Sequence, residues 1–220
     1  MLFERLIVHH DRADRSAALN MAIDEALLDT ATIPTLRCYR WDHPALSIGY
    51  FGKFAEVAGE VKARDIVRRW TGGGIVPHGD DLTYSLVAPG GDATAALGPL
   101  AIYSAVHSAI RDALAEAGTM AQLIRESAPK ISDACFANPV RHDLIVDGRK
   151  IAGAAQRRTH RGLLQQGSIQ LSALGKSFRD RFAALLGDEV EEGEMPPSLI
   201  ARAAELTAQK YATGEWLHRW

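Results

Sequence analysis

The residues of this sequence with the clearest potential for chemistry are Cys135 and Lys150, which lie 15 positions apart. Cys135 falls in residues 132–139, a polar stretch whose proline predicts a loop, where a thiol is more accessible than in a strand. Lys150 is followed by small residues at 152–155, which leave room for a ligand. A lysine ammonium lowers the pKa of a nearby thiol and favours the nucleophilic thiolate. One interpretation is covalent catalysis by Cys135 with Lys150 beside it. The alternative is that Cys135 is an inert, half-buried thiol and Lys150 is an exposed lysine beside a turn.

A run of three glycines, Gly72, Gly73 and Gly74, follows Arg68 and Arg69. Glycines let a ligand approach the backbone closely and leave N–H groups free to face an anion or a carbonyl oxygen. The two arginines are suited to balancing an anionic group. A flexible turn with solvated arginines is the open alternative. Because no Gly-Lys-Ser/Thr follows the glycines, the run is not a Walker A loop.

His78, Asp80 and Asp81 form a third candidate group, just before a predicted strand. They can supply an acid, a base or magnesium ligands, or they can form a turn and cap the strand, which is the interpretation we favour for Asp80. The other histidines show no metal-ligand spacing, so no metal site is predicted. Cys38 lies in an alternating run and is expected to be a small core residue.

Composition narrows the class of protein. The chain has 220 residues, 47% hydrophobic and 24% charged, as in soluble globular domains. Its 25 basic and 27 acidic residues give a net charge of −2, which argues against binding driven by nucleic-acid phosphates. Two cysteines cannot form a disulfide framework, and the sequence shows neither a signal peptide nor an apolar run long enough to span a membrane. We therefore expect one cytoplasmic domain over residues 1–220.

Several elements must position the candidate residues. Hydrophobic periodicity predicts a helix over 16–32, with Ser16 as its N-cap, and another over 99–117. Asp147-Gly148 predicts a type I′ hairpin. Because helices and strands do not alternate regularly, the predicted fold class is α+β rather than a doubly wound sheet. The remaining predictions are strands at 35–41, 45–50, 65–70, 82–88, 143–146, 150–156 and 163–171, a short helix at 54–63, and helices at 177–186 and 198–211 joined by a loop.

Together these segments resemble the lipoate–protein ligase and octanoyltransferase family, relatives of the biotin–protein ligases. The resemblance implies a mixed, mostly antiparallel sheet flanked by helices, like the class II synthetase core. It also implies a reaction that attaches an eight-carbon acyl group to a lysine of a lipoyl domain. The matching stretches, in the family's order, are 19–28 (LNMAIDEALL), 45–49 (ALSIG), 67–78 (VRRWTGGGIVPH), 81–86 (DLTYSL), 143–156 (DLIVDGRKIAGAAQ) and 164–169 (LQQGSI).

Two reaction types share this scaffold. Cysteine-dependent transferases take octanoate from acyl carrier protein and need no cofactor, whereas ligases activate lipoate with ATP and Mg²⁺ through an acyl-adenylate. Residues 134–153 (ACFANPVRHDLIVDGRKIAG) resemble the transferases and the lipoyl amidotransferases, which favours Cys135 as nucleophile and Lys150 as active-site lysine. A ligase with Cys135 as a bystander is the alternative, and a non-catalytic binding module is disfavoured. The implied partners are acyl carrier protein and lipoyl domains of 2-oxoacid dehydrogenases or of the glycine cleavage H protein, with a monomeric enzyme.

The resemblance also assigns substrate binding. It departs from the family's pattern at Gln165-Gln166, where relatives can carry Gln-His, and at Pro77, which removes a backbone donor. The matched core ends near residue 170, so no C-terminal accessory domain is expected. Lys150→Ala is expected to leave folding largely intact, because a surface lysine rarely stabilises a fold. The predicted substrate-binding residues are Arg68, Arg69, Thr71, Gly72, Gly73, Gly74, His78, Tyr84, Gly153, Ala155 and Gly167.

Overall fold

The computed structural model describes residues 1–126, 140–172 and 174–220. Cys135 lies outside the described residues. Among the described residues, no helix combines the length and the apolar composition that crossing a lipid bilayer requires. The helices are α1 (Ala17–Thr30), α2 (Pro99–Glu116), α3 (Lys176–Leu186), α4 (Pro197–Leu206), which continues into a π-helical turn (Thr207–Tyr211), and α5 (Gly214–Leu217).

The described strands form two sheets. The strands are β1 (Phe3–His10), β2 (Thr35–Tyr39), β3 (Ala45–Ile48), β4 (Asp65–Arg68), β5 (Val76–His78), β6 (Leu82–Pro89), β7 (Gln122–Leu123), β8 (Leu144–Val146), β9 (Arg149–Thr159), β10 (Gly162–Ile169) and β11 (Gly187–Glu192). The larger sheet has the order β11-β1-β2-β6-β10-β9-β8-β7, and the smaller has the order β4-β3-β5. In the larger sheet β1 pairs in parallel with β11 and β2, and the other neighbours pair antiparallel, which confirms the predicted α+β class.

Helices cover both faces of the larger sheet. Side chains alternate along its strands, so neighbouring residues contact the helices on opposite faces. Leu36 and Cys38 of β2 belong to the hydrophobic cluster that contains α2 and α3. Tyr39, on the opposite face, belongs to the cluster that contains α1 and α4. Cys38 is completely buried, as expected for a core residue, and burial raises the pKa of its thiol to about 12.

Local signals in the sequence account for the elements nearest the candidate site. The Ser16 hydroxyl accepts a hydrogen bond from the Leu19 amide at the start of α1, which confirms the predicted N-cap. Asp147 and Gly148 both have positive φ, +49° and +76°, as a type I′ turn requires, and they connect β8 to β9. The hairpin therefore fixes where Lys150 enters the sheet.

The structure differs from the sequence predictions in several places. Strand β1 was not predicted, and β11 lies where a loop was predicted; each pairs with the other over at least five residues. Residues 54–63, predicted as a short helix, form two single turns of 3₁₀ helix at Phe54–Glu56 and Ala58–Glu60. Pro77 lies in β5, at the edge of the smaller sheet, where its missing N–H costs little.

Candidate active site

Lys150 lies inside the protein. Its Nζ atom is 2.8 Å from Oδ2 of Asp143, and the two side chains are 2% and 0% exposed. The alternative of an exposed lysine beside a turn is therefore wrong. The lysine stem lies over Gly153, where an added Cβ would come within 2.9 Å of Nζ. Gly153 thus leaves the space that the lysine side chain occupies.

Asp143 is held by more than the lysine. Its Oδ2 accepts a hydrogen bond from the Val140 amide at 2.7 Å, and its Oδ1 accepts one from the Tyr103 hydroxyl. The Tyr103 oxygen in turn accepts from the Ala154 amide at 3.1 Å, and burial together with Asp143 raises the pKa of Tyr103. Neither Asp143 nor Tyr103 was a predicted site residue. Asp143 lay within the matched stretch 143–156, but only the fold places Tyr103 of α2 beside it.

A groove of about 710 Å³ opens beside Lys150. One side is formed by the glycines at 72–74 and the other by β9, and we call it the Lys150 groove. Tyr103 also borders it, which places the buried lysine network at its wall. Its lining residues include Gly49, Phe51, Lys53, Glu56, Gly72, Gly73, Gly74, Ile75, Lys150, Ala154 and Ala155.

A second cavity, which we call the apolar channel, adjoins the Lys150 groove and is narrow and mostly apolar. Gly73, Ala154 and Ala155 line both the channel and the Lys150 groove, so the two cavities meet at these residues. The channel is also lined by Met21, Tyr39, Trp41, Ser47, Arg69, Val76, His78, Thr83, Gly153, Gln166, Gly167 and Ser168.

The glycines at the junction, with Thr71, form a segment that we call the glycine loop. Gly73 has a φ of +87°, a conformation that side-chain-bearing residues rarely adopt. Gly49 packs against it so closely that an added Cβ would lie 1.9 Å from the Gly73 carbonyl oxygen. Arg69 donates to the carbonyl oxygens of Gly72 and Gly74, at 3.0 and 2.8 Å, and so holds the loop from inside.

The two arginines are placed to shape the loop. Arg68 is completely buried and donates to the carbonyl oxygens of Gly49, Tyr50 and Gly52, and to those of Trp216 and Leu217 near the C-terminus. Arg69 lines the channel and also donates to the Ser47 carbonyl at 2.7 Å. These contacts exclude the alternative of solvated arginines, and they commit the Arg68 side chain to backbone oxygens.

A buried polar network ties the glycine loop to helix α1. The Thr71 hydroxyl donates to Oε1 of Gln166 at 2.7 Å, and Nε2 of Gln166 donates to Oδ2 of Asp24 at 2.7 Å. Asp24 also accepts from Arg37 at 2.8 Å, across a fully buried ion pair. Gln166 lies where relatives can carry histidine, and here its amide connects the glycine loop to the Asp24 carboxylate. From the sequence, Asp24 was only one residue of the predicted helix over 16–32, and its part in this network was not predicted.

His78 lies at the channel between two partners. Its Nδ1 is 2.9 Å from Oδ2 of Asp81, and its Nε2 is 2.7 Å from the Ser47 hydroxyl. Burial lowers the pKa of His78, so the ring is neutral at pH 7. Burial on its own raises the pKa of Asp81, but His78 and Ser168 outweigh it, and the pKa lies below its ordinary value. Asp80 is exposed at the turn, as predicted.

Tyr84 is a predicted substrate-binding residue that lines neither the channel nor the Lys150 groove. Its side chain is buried in the α2–α3 face of the sheet, 5.5 Å from the Phe182 ring, whereas the channel lies against the opposite face. The reason is alternation along β6, where Thr83 points to the channel and Tyr84 points away. Gly167 leaves space for this ring, because an added Cβ would lie 2.4 Å from it.

The amino-acid sequence is similar to one family of known proteins. The family of lipoyl protein ligase A/B catalytic domains matches residues 16–209. An octanoyltransferase LipM from Oceanobacillus iheyensis is 40% identical over 184 residues, which cover 78% of this chain and 66% of the relative. An octanoyltransferase LipM from Brevibacillus brevis is 31% identical over 260 residues, with 91% of this chain and 94% of the relative covered.

Solved structures agree in fold. A putative lipoate protein ligase from Thermoplasma acidophilum, with bound lipoic acid, aligns with a TM-score of 0.77 over 99% of this chain and 100% of that one, at 21% identity. A bi-partite lipoate protein ligase from the same organism, studied with its E2 lipoyl domain, aligns with a TM-score of 0.70 over 99% and 97%, at 21% identity. The resemblance noted in the sequence is confirmed: the chain belongs to the lipoyl protein ligase A/B catalytic domain family.

Proposed function

We propose that this protein is an octanoyltransferase of protein lipoylation, which passes an octanoyl group from a carrier thioester through Cys135 to a lysine of a lipoyl domain. The observation that carries the proposal is the meeting of a narrow apolar channel and an open groove at Gly73, beside Lys150. The channel suits a linear acyl chain, and the groove suits the protein-borne groups that deliver and accept it. Curated octanoyltransferases at 31% and 40% identity support the same reaction.

The first step is transthioesterification. The Cys135 thiolate attacks the thioester carbonyl, a C–S bond forms, and the C–S bond to the carrier breaks. The carrier thiolate takes up a proton and leaves. A thiolate displaces a thiol readily because the two groups have similar leaving ability. Lys150 ammonium and backbone N–H groups of the glycine loop stabilise the negative charge on the carbonyl oxygen.

The second step forms the amide. The neutral amine of the acceptor lysine attacks the acyl-Cys135 carbonyl, a C–N bond forms, and the C–S bond to Cys135 breaks. The nitrogen releases a proton to solvent, which balances the proton that the carrier thiolate takes up in the first step, and the Cys135 thiolate is regenerated. Lys150 serves the same oxygen in both steps, which requires that its ammonium stay in one place. The ion pair with Asp143, itself held by Tyr103 and Val140, supplies that fixed position.

Partners follow from the reaction. We propose a lipoyl domain as acceptor and octanoyl-acyl carrier protein as donor, with the E2 subunits and the glycine cleavage H protein as acceptor classes. The Thermoplasma ligase studied with its E2 lipoyl domain supports the acceptor class. The cytoplasm is the proposed compartment, since thiols stay reduced there.

The test is an incubation of the purified protein with an apo lipoyl domain and either octanoyl-acyl carrier protein or free octanoate, each with and without ATP and Mg²⁺. We expect octanoylated lipoyl domain without ATP and, when the acceptor is omitted, an octanoyl adduct on Cys135 in peptide mass spectrometry. Cys135→Ala is expected to abolish transfer, with Cys38→Ala as the matched thiol control. Transfer that requires ATP and survives in Cys135→Ala identifies the protein as a ligase and overturns the proposal.

A further inference from the structure

The His78 ring borders cavities on two sides. One is the apolar channel; the other is a surface groove of about 620 Å³, which we call the outer groove. The outer groove is lined by Pro44, Arg64, Pro77 and Gln170, among others. In the part of the chain that the structure describes, His78 is the residue common to both linings. Its ring therefore stands between the channel interior and the protein surface.

His78 and Gly73 mark two different borders of the channel. The Lys150 groove shares Gly73, Ala154 and Ala155 with the channel lining, and the outer groove shares His78 with it. His78 does not line the Lys150 groove. An acyl group with its carbonyl beside Gly73 is therefore taken to extend through the channel toward His78.

The ring is fixed in this position from three directions. Asp81 holds Nδ1, Ser47 holds Nε2, and the Trp41 indole stacks on the ring with a centroid distance of 4.0 Å. Asp81 is in turn held by the hydroxyls of Thr83 and Ser168, at 3.0 and 2.6 Å. A ring restrained by two hydrogen bonds and a stacking contact forms a rigid wall rather than a movable one.

The order Asp81, His78, Ser47 has the spacing of a hydrolase triad, but its surroundings favour a structural role. The Ser47 oxygen also accepts a hydrogen bond from Arg69 at 2.6 Å, and Ser47 is completely buried in β3. Its hydroxyl proton goes to Nε2 of His78, and its lone pair goes to a guanidinium. The row therefore holds the ring in place instead of exposing a nucleophile.

We infer that His78 is the end wall of the acyl channel and sets the length of the acyl chain that the enzyme accepts. This inference rests on the proposed function, because the channel is taken to hold the acyl group. Replacing His78 by alanine joins the channel to the outer groove, so that chains longer than eight carbons extend through the opening. In the variant, longer acyl chains gain buried apolar contacts that His78 prevents in the parent protein.

The experiment is a competition among acyl carrier protein thioesters of eight, ten, twelve and fourteen carbons, with products on the lipoyl domain separated by mass spectrometry. His78→Ala is expected to raise the ratio of twelve-carbon to eight-carbon product by at least about tenfold, since burying even two of the four additional CH₂ groups, at a factor of roughly four each, gives about sixteenfold. His78→Phe, which keeps a ring against Trp41, is expected to keep the parent ratio. A catalytic role for His78 would instead abolish transfer in both variants.

Because the ratio is internal to each sample, it does not depend on how much of a variant is folded. His78→Asn, a smaller opening that keeps a polar group near Asp81, provides the same readout if His78→Ala does not fold. Failure of the parent protein to transfer octanoate contradicts the proposed function. Parent transfer combined with an unchanged ratio in the folded alanine and asparagine variants overturns the end-wall inference alone.

Discussion

The ammonium of Lys150 and the carboxylate of Asp143 form an ion pair 2.8 Å apart that is almost completely removed from solvent. Two charges in such surroundings depend on each other, since removing one leaves the other buried and uncompensated. The pair therefore links the proposed chemistry to the stability of the β8–β9 hairpin.

Lys150→Ala is expected to abolish octanoyl transfer and also to lower the free energy of unfolding by about 3 kcal/mol. The expectation from sequence, that folding stays largely intact, assumed a surface lysine and is wrong about its location. Urea denaturation followed by circular dichroism measures the loss. The double variant Lys150→Met/Asp143→Leu is the control: it should recover stability but not activity. A fully stable Lys150→Ala protein contradicts the buried pair.

Gly49→Ala is expected to lower stability by about 2 to 3 kcal/mol and to disrupt transfer, because its Cβ would meet the Gly73 carbonyl oxygen at 1.9 Å. Gly72→Ala is the matched control, since an added Cβ there meets nothing within 4 Å. Thermal unfolding of both variants measures the difference. Equal melting temperatures for the two would show that the loop does not pack on Gly49 as described.

Gln166→Glu is expected to destabilise the protein by about 3 kcal/mol at pH 7, because an anionic oxygen replaces the amide that donates to Asp24. The pKa of the introduced carboxyl rises above its unfolded value of about 4.3. Below its unfolded pKa, such a carboxyl is protonated in both the folded and the unfolded state and does not lower the free energy of unfolding. As the pH rises above that value, the unfolded chain loses the proton first, and the folded protein becomes less stable. The loss in free energy of unfolding, relative to the parent protein, should therefore become smaller as the pH is lowered from 7 to 4.5.

Gln166→Leu distinguishes charge from shape at this position. It also removes the donor to Asp24, but it does not titrate, so its deficit relative to the parent should stay constant over the same pH range. Unfolding in urea at four pH values measures both variants. A deficit that is equally pH-independent for Gln166→Glu counts against the contact with Asp24.

His107 is expected to make the fold acid-sensitive. Burial lowers its pKa from 6.5 to about 4, so the unfolded chain binds a proton more readily than the folded one. Stability should fall as pH decreases from 6.5 toward 4, by up to about 3 kcal/mol. His107→Gln should lose this part of the pH dependence. Identical slopes for parent and variant, measured in urea at pH 7.5, 6 and 5, contradict the assignment.

Much of the fold near the site could be predicted because it depends on local signals. Ser16 caps α1 and Asp147-Gly148 closes the β8–β9 hairpin, and both follow from the conformational preferences of those residue types. Strand β11 could not be predicted in this way. Its sequence, GDEVEE, is mostly acidic and lacks the apolar alternation of a typical strand, and it is extended because β1 pairs with it.

The site was predictable only in part, for a related reason. Lys150 and the glycines could be identified because short motifs carry them. Their partners come from distant elements: Asp24 from α1, Tyr103 from α2 and Gly49 after β3. Neither spacing nor composition reveals that these residues meet. The position of Tyr84 illustrates the limit, since a shift of one residue along β6 separates the channel from the core.

The acidic strand β11 has a consequence for how copies of this chain meet. It forms an outer edge of the larger sheet, and its side chains after Gly187 are exposed. Four of them, Asp188, Glu189, Glu191 and Glu192, are carboxylates. Glu191 and Glu192 form ion pairs with Arg5 and Lys176, so a second sheet that approached this edge would have to desolvate these ion pairs and bring the carboxylates of two chains together. The charged side chains of β11 thus protect an open strand edge against pairing with another sheet.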